Sequence, residues 1–247
     1  MKKVFCILLL LLFMIVTSPV ARADFEIDGG ISYNTLNLKS FNSYLDSREE
    51  RLNEYFEEYF EEYYDFDSSF ADVEAGSSYF LTGDYIIGKK TGVGAGIERF
   101  STISADYGIT TEYSEIFSLD LTGYLARIKY LLVADEGIAL TAGADAGRYM
   151  GNLNYSREYD FETEEEVVYE IEEYSYGGSA WGGKAGLTLG IDLSDDVFLF
   201  SQSNYRFLTL KSLENSGGEK FYNYYEEEPL ELDFSGYEFG AGLRVAF

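Results

Sequence analysis

The chain contains no histidine, one cysteine and two prolines among its 247 residues. The absence of histidine excludes Ser-His and Cys-His nucleophilic sites and the common histidine-based metal sites. The one cysteine, Cys6, lies in an N-terminal segment that we expect to be removed, so the mature chain has neither a thiol nor a disulfide. Scarce proline, with 25 glycines, 23 tyrosines and 19 phenylalanines, favours strands and turns over a helical bundle.

Basic residues are also scarce, since 18 Lys and Arg stand against 44 Asp and Glu, a formal net charge of −26. This balance argues against binding to nucleic acid or to anionic membrane surfaces. Carboxylates are abundant, but no pair stands out as an acid and a base. The glycine run at 92–96 lies within a strand and lacks the strand-to-helix context of a phosphate loop. The sequence therefore predicts no catalytic residue, no metal ligand set and no cofactor.

The N-terminus has the three parts of a secretory signal peptide. It begins with Met1-Lys2-Lys3, continues as an apolar run over 4–16, and reaches the small-x-small sequence Ala21-Arg22-Ala23. We predict a signal peptide over 1–23, cleaved after Ala23, and a single mature domain over 24–247. A membrane-spanning helix is the alternative, but the apolar run is shorter than the roughly 18 residues that such a helix needs.

Eight stretches of the mature chain alternate apolar and polar residues, which is the period of a β-strand. They cover about 25–33, 79–87, 93–98, 117–130, 138–146, 181–191, 197–207 and 236–247. In the fourth stretch, the pattern places Phe117, Leu119 and Leu121 on the outward face. After Gly123 the apolar row shifts by one residue, which predicts a β-bulge there.

The connections between these strands alternate between long and short. The long ones are predicted as loops over about 34–72, 102–115, 149–177 and 211–233, and the three short ones are tight turns. Because consecutive antiparallel strands place alternate connections at opposite ends, the long loops share one rim. This layout predicts an all-β fold, an eight-stranded antiparallel up-and-down transmembrane β-barrel with short periplasmic turns and long extracellular loops. A soluble exported barrel or sandwich shares the alternation, but it would expose aromatic-rich rows to water.

The polar rows should point into the lumen, where an eight-stranded barrel has room only for side chains. Buried charges must be paired, so we expect a network of ion pairs that plugs the barrel. A structural role and a narrow gated path are both compatible with such a network. The predicted lumen residues are the acids Glu26, Asp28, Asp84, Glu98, Asp120, Asp145 and Glu238 and the bases Arg127, Lys129, Lys184, Arg206 and Arg244.

The long loops combine tyrosine with runs of glutamate. In the first, a four-residue repeat predicts a helix from about Leu45 to Tyr64, with Tyr55 and Phe56 beginning two aromatic rows. Acidic runs recur at 162–166, 170–174 and 222–228. A solvated acidic surface is one interpretation. The others are a surface that binds a partner, and a set of oxygen ligands for divalent cations.

The signal peptide, the alternating strands and the closing segment from Gly236 to Phe247 make the chain resemble the small eight-stranded outer-membrane barrels. This group includes the OmpA membrane domain, OmpX and OmpW. In these proteins the last strand ends in an aromatic residue that the barrel assembly machinery reads. The resemblance implies the same role for the row of Tyr237, Phe239, Leu243, Val245 and Phe247.

These features together predict a non-enzymatic protein of the cell outer membrane, embedded in outer-membrane lipid. We expect a closed lumen, with acidic, tyrosine-rich loops that serve envelope structure or surface interaction. The alternative is a porin-like narrow pore or transporter for ions or small apolar solutes.

Overall fold

The computed structural model describes residues 25–60, 69–88, 90–109, 113–162, 167–223 and 228–247. The predicted signal peptide lies outside these residues. The elements in chain order are β1 (Phe25–Thr35), α1 (Lys39–Phe60), β2 (Ala75–Ile87), β3 (Thr91–Phe100), β4 (Ile103–Ile109), β5 (Tyr113–Asp135), β6 (Ile138–Glu162), β7 (Val167–Asp192), β8 (Val197–Phe207), β9 (Thr209–Leu210), β10 (Tyr222–Asn223), β11 (Glu228–Pro229), β12 (Leu232–Asp233) and β13 (Gly236–Ala246).

Eight of these strands close into a barrel in the order β1-β2-β3-β5-β6-β7-β8-β13. Strand β13 pairs with both β8 and β1, and the pairing of β3 with β5 completes the ring. All of these pairings are antiparallel and join strands in up-and-down order. The predicted fold class is therefore confirmed.

The two rims of the barrel differ as the connection lengths predicted. At one rim, short turns join β2 to β3, β5 to β6, and β7 to β8. The turn between β5 and β6 uses Glu136 and Gly137 with φ of 36° and 86°, left-handed values that glycine adopts without strain. The other rim carries α1 and the small strands β4 and β9 to β12. We call this the upper rim.

Three stretches predicted as loops contain strands, and one of them, 211–233, contains the short strands β10 to β12. The segment 149–177 is the upper part of β6 and β7, which pair without interruption from Ile138–Ile191 to Glu162–Val167. The segment 102–115 contains β4, which pairs with the first residues of β5 above the end of β3. Along β4 and the upper part of β6, apolar residues such as Ile103, Tyr107 and Leu153 face inward and are buried. This alternation is opposite in phase to the outward apolar rows of the barrel below.

The predicted bulge at Gly123 is wrong, and so is the outward placement of Phe117, Leu119 and Leu121. These three side chains are buried, and the alternation of β5 continues through Gly123 to Leu131, where the register does shift. A Cβ at Gly123 would lie 2.5 Å from the ring of Tyr149. The glycine therefore makes room for a buried tyrosine and does not mark a bulge.

A hydrophobic core lies above the barrel, under α1. The helix begins at Lys39, earlier than predicted, and its described part ends at Phe60. It buries Phe41, Tyr44, Leu45, Leu52 and Phe56, which share one helical face and pack against Phe117 and its neighbours. Of the two predicted aromatic rows, Tyr55 is exposed and Phe56 is buried. No helix in the described part of the chain has the length and apolarity needed to cross a membrane.

Candidate functional site

Two groups of ion pairs fill the barrel lumen. The upper cluster consists of Glu98 on β3, Lys184 on β7, Arg206 on β8 and Glu238 on β13, all of which are buried. Arg206 Nη2 donates to Glu98 Oε1 at 2.6 Å and to Glu238 Oε2 at 2.6 Å. Lys184 Nζ lies 3.2 Å from Glu98 Oε2 and 3.0 Å from Glu238 Oε2. Because β3 and β8 are four positions apart in a ring of eight, the Arg206–Glu98 pair joins opposite walls.

Neutral side chains complete the coordination of the upper cluster. Gln202 Nε2 and Asn204 Nδ2 donate to Glu238 Oε1 at 2.8 and 3.0 Å, and Ser78 Oγ donates to Glu98 Oε1 at 3.0 Å. Two carboxylates thus face two cations and at least three neutral donors. All four carboxylate oxygens therefore have partners, as buried charges require. Arg206 Nε and Nη1 are buried without a hydrogen-bond partner among the described residues.

The lower cluster lies nearer the short turns. Arg127 on β5 binds Asp145 through two hydrogen bonds of 2.8 and 3.1 Å and reaches Asp28 on β1 at 3.5 Å. Arg244 on β13 binds Asp28 in the same forked manner, at 2.7 and 2.9 Å. Lys129 Nζ lies 2.8 Å from Asp84 Oδ2. The links from β5 to β1 again cross the lumen.

A layer of aromatic rings separates the two clusters. Phe80 and Phe200 point inward with ring centroids 6.0 Å apart. Lys184 of the upper cluster lies over Phe80 and Arg244 of the lower cluster lies over Phe200, each at 5.8 Å. The cavity between the walls measures about 20 Å³ and is lined by residues of both clusters. It is large enough for about one water molecule.

Three carboxylates of the lower cluster lie close enough together to suggest a metal site. Oxygens of Glu26, Asp28 and Asp84 lie within 4.8 Å of one another. However, Lys129 Nζ already binds Glu26 and Asp84, and Arg244 Nε lies 3.3 Å from Glu26 Oε2 and binds Asp28. The protein's own cations therefore occupy the positions that a metal ion would need.

The structure places eleven of the twelve predicted lumen residues inside the barrel. The exception is Asp120, whose placement in the lumen is corrected. It lies on the outer face of β5, where its Oδ1 accepts a hydrogen bond of 3.0 Å from Thr102. The incorrect placement of Asp120 has the same origin as that of Phe117. Above the membrane belt, the apolar row of β5 faces inward and the polar row faces out.

A third ionic contact, which the sequence analysis missed, fixes α1 to the barrel extension. Glu115 on β5 is fully buried and accepts hydrogen bonds from Arg48 Nε at 3.1 Å and Nη2 at 2.5 Å. Tyr113 and Tyr155 also donate their hydroxyl groups to Glu115. The signal in the sequence is a single acid among the apolar residues at the start of the inward row of β5, since such an acid requires a buried partner.

Burial and negative charge set the titration of the tyrosines in this upper core. Burial and the charges of Glu49 and Glu115 raise the pKa of Tyr107 to about 12. Burial and the charge of Glu115 likewise raise the pKa of Tyr113 and Tyr155. A group with a raised folded-state pKa stabilises the fold below its ordinary pKa, near 10 for tyrosine, and this stabilisation is lost as the pH rises through the folded-state value.

We therefore expect an alkaline transition of the upper core. In a titration of near-ultraviolet tyrosinate absorbance, a cooperative phase at about pH 12 should accompany release of α1. The Tyr107→Phe variant should show a smaller phase. Ionisation of Tyr107 at its ordinary pKa, near 10, would contradict the buried placement.

The outer wall of the barrel is apolar. Large exposed side chains cover every barrel strand, and they include Ile31, Tyr79, Leu81, Ile97, Ile128, Leu187, Leu199, Phe207, Tyr237, Phe239 and Leu243. A closed barrel with an apolar exterior and an ionic interior inverts the usual arrangement of a soluble protein. It defines the class of transmembrane β-barrels, in which strands alternate apolar-out and polar-in.

Comparisons with known proteins find only distant structural similarity. No protein-family model and no curated protein matches the chain. The similar solved structures include small outer-membrane β-barrel proteins and an outer membrane protease, OmpT from Escherichia coli. OprG from Pseudomonas aeruginosa is 11% identical, with a TM-score of 0.46 over 91% of this chain and 96% of that chain. Ail, the attachment invasion locus protein of Yersinia pestis, is 11% identical, with a TM-score of 0.44 over 91% and 99%. Neisserial surface protein A is 12% identical, with a TM-score of 0.41 over 90% and 97%. The assignment rests on the chain's own strand order and registers.

Proposed function

We propose that the chain is a non-enzymatic, non-conducting barrel of the cell outer membrane. The observation that carries this proposal is the pair of ion clusters that join opposite walls of the lumen. Arg206 and Arg127 each reach a carboxylate on a distant strand, so the path for ions is blocked at two levels. Above them the apolar core under α1 forms a third barrier.

The apolar exterior supports a location in lipid. On β2 and β5, outward tyrosines at 79 and 85 and at 124 and 130 bracket aliphatic residues, an arrangement typical of the aromatic girdles of transmembrane barrels. The short turns would then lie in the periplasm and the upper rim at the cell surface. Both Phe25 and Phe247 lie at the lower rim, where their backbones hydrogen-bond to each other.

The upper rim supports a role in surface interaction. Strands β5, β6 and β7 rise beyond the barrel as a paired sheet, and α1 is held on it by a packed core and by the Arg48–Glu115 contact. This gives a rigid platform at the cell surface, and binding surfaces are often carried on such scaffolds. Glu170 and Glu173 are exposed on it, as are Tyr169 and Tyr174. Binding of divalent cations or of a surface partner at these acidic positions is part of the proposal.

The closing strand supports recognition by the barrel assembly machinery. Tyr237, Phe239, Leu243 and Phe247 are exposed on the outer face of β13, between β8 and β1. Since β13 pairs with the first strand, its insertion is the step that closes the ring. A terminal aromatic residue on the lipid face is placed where an insertion factor could bind it before closure.

Conductance separates this proposal from a narrow pore. Purified protein incorporated into planar lipid bilayers is expected to show no steady current steps, because the lumen cavity of about 20 Å³ is enclosed by paired charges. A general porin in the same bilayers provides the positive control. Reproducible, long-lived steps from the purified chain would favour the pore or transporter.

A further inference from the structure

Two arginines lie on the outer wall of the barrel, where nearly every other large side chain is apolar or aromatic. They are Arg99 on β3 and Arg148 on β6, and both are exposed. On the outward rows of the eight described barrel strands they are the only basic residues. The chain places most of its few other cations in the lumen, at the turns or on the upper rim, so these two require an explanation.

Their strand partners place them at the level of the upper aromatic girdle. Arg99 lies opposite Tyr79 on β2 and Thr122 on β5. Arg148 lies opposite Tyr124 on β5 and Trp181 on β7, and Trp181 is 79% exposed. Tyrosine and tryptophan are enriched at the boundary between hydrocarbon and headgroups. The two guanidinium groups therefore lie at the depth of lipid headgroups.

Neither guanidinium is satisfied by the protein. Arg99 makes no hydrogen bond or ion pair with any residue that the structure describes, and Arg148 Nη2 donates only to Ser179 Oγ, at 2.8 Å. The one outward acid nearby, Asp120, instead accepts a hydrogen bond from Thr102. An arginine on the lipid face is costly at the bilayer midplane but costs little near the interface, where a phosphate offers it a forked partner.

The spacing of the two side chains suits one headgroup. Arg99 and Arg148 lie on either side of β5, two strands apart and offset by two residues, which puts their Cα atoms roughly 12 Å apart. In the structure Arg148 reaches toward β7, where it binds Ser179. Both guanidinium groups reach a single phosphorylated headgroup over β5 once Arg148 leaves this one contact.

We propose that Arg99 and Arg148 form a clamp for the phosphate groups of an outer-leaflet lipid. The clamp rests on the proposed outer-membrane orientation, because it requires the upper girdle to lie in the outer leaflet. The ligand class is a glycolipid that carries phosphate on its sugar headgroup. The bound lipid would be held at this side of the barrel, next to the sheet of β5 to β7.

Native mass spectrometry of the folded protein in detergent tests the clamp. The probes are lipid A, which carries two phosphates, and the same lipid after chemical removal of both. We expect the wild type to retain the phosphorylated form at least tenfold better than the phosphate-free form. The double variant R99Q/R148Q should lose this preference, and R99K/R148K should retain part of it, since lysine keeps the charge but not the fork.

The matched control is K39Q/K211Q, which removes the same charge from exposed lysines on the upper rim. It should bind both lipids as the wild type does. An equal loss of the preference for phosphorylated lipid in the control would show that net charge causes the effect, and it would overturn the clamp. Unchanged retention of the phosphorylated lipid by R99Q/R148Q would also overturn it. Heat-modifiable gel migration of each variant is measured separately. Its absence in the wild type would count against the membrane barrel itself, whereas normal migration without lipid preference would refute only the clamp.

Discussion

Replacing Arg206 with methionine is expected to lower the free energy of unfolding by roughly 3–5 kcal/mol, the usual cost of removing one partner from a buried ion pair. Arg206 is fully buried and its Nη2 lies 2.6 Å from an oxygen of both Glu98 and Glu238. Without it, Lys184 is the one cation of the upper cluster that remains to bind the two buried carboxylates. The guanidinium also lies 4.5 Å over the ring of Phe100, a contact that methionine replaces only in part.

Equilibrium unfolding in urea, with the protein inserted in lipid vesicles, measures this effect. The chain has a single tryptophan, Trp181, on the outer wall, so its fluorescence reports the loss of the lipid environment. The surface variant Lys39→Met controls for the removal of one positive charge and should change the free energy by less than about 0.5 kcal/mol. A loss below about 1 kcal/mol in R206M would refute a structural role for the upper cluster.

A second substitution tests whether charge balance is the cause. In R206M/E238Q the cluster again holds one acid, Glu98, and one base, Lys184. We expect the double variant to recover about 1–2 kcal/mol relative to R206M, the size of coupling seen between contacting residues. If E238Q instead lowers the free energy of unfolding further, the loss of stability in R206M would come from lost packing against Phe100 and Tyr149 and not from unpaired charge.

The barrel and most of its lumen were predictable because two environments enforce a period of two. Between the girdles, one face of each strand meets lipid and the other a lumen filled by side chains. Residues such as Glu238 and Phe239 therefore alternate strictly, and their faces could be assigned without a structure. The pairing partners were not predictable. Whether Arg206 meets Glu98 or another acid depends on the stagger between strands, which no local pattern encodes.

The error at β5 has a physical origin that applies to any barrel with an extended rim. Below Gly123 the apolar residues face outward to lipid, and above it they face inward to the core under α1. The backbone continues its alternation while the environment on its two sides is exchanged. In the sequence this exchange looks like a one-residue slip, so it was interpreted as a bulge, and Asp120 was assigned to the lumen. A phase shift without a turn can therefore mark the membrane surface.

This interpretation of β5 predicts different results for two apolar residues on the same strand. Phe117 is 0% exposed and packs against Phe41, Tyr44, Phe70 and Tyr155, with ring centroids 4.7 to 6.1 Å away. Phe117→Ala should create a cavity that costs about 3–5 kcal/mol, confined to the upper core. Hydrogen exchange should then show faster exchange of α1 amides, while the amides of β1 and β13 remain protected.

Ile128→Ala is the matched control, since Ile128 lies on the same strand below Gly123 and is exposed on the outer wall. In detergent its truncation leaves no internal cavity, and α1 should exchange as in the wild type. If Phe117 instead faced lipid, its truncation would also leave the core intact, and α1 would exchange as in the wild type in both variants. Protected α1 amides in the Phe117→Ala variant would instead support the outward placement of Phe117 and a bulge at Gly123. Accelerated exchange in that variant alone would establish that the interior of the barrel continues, above the membrane, into the core that α1 covers.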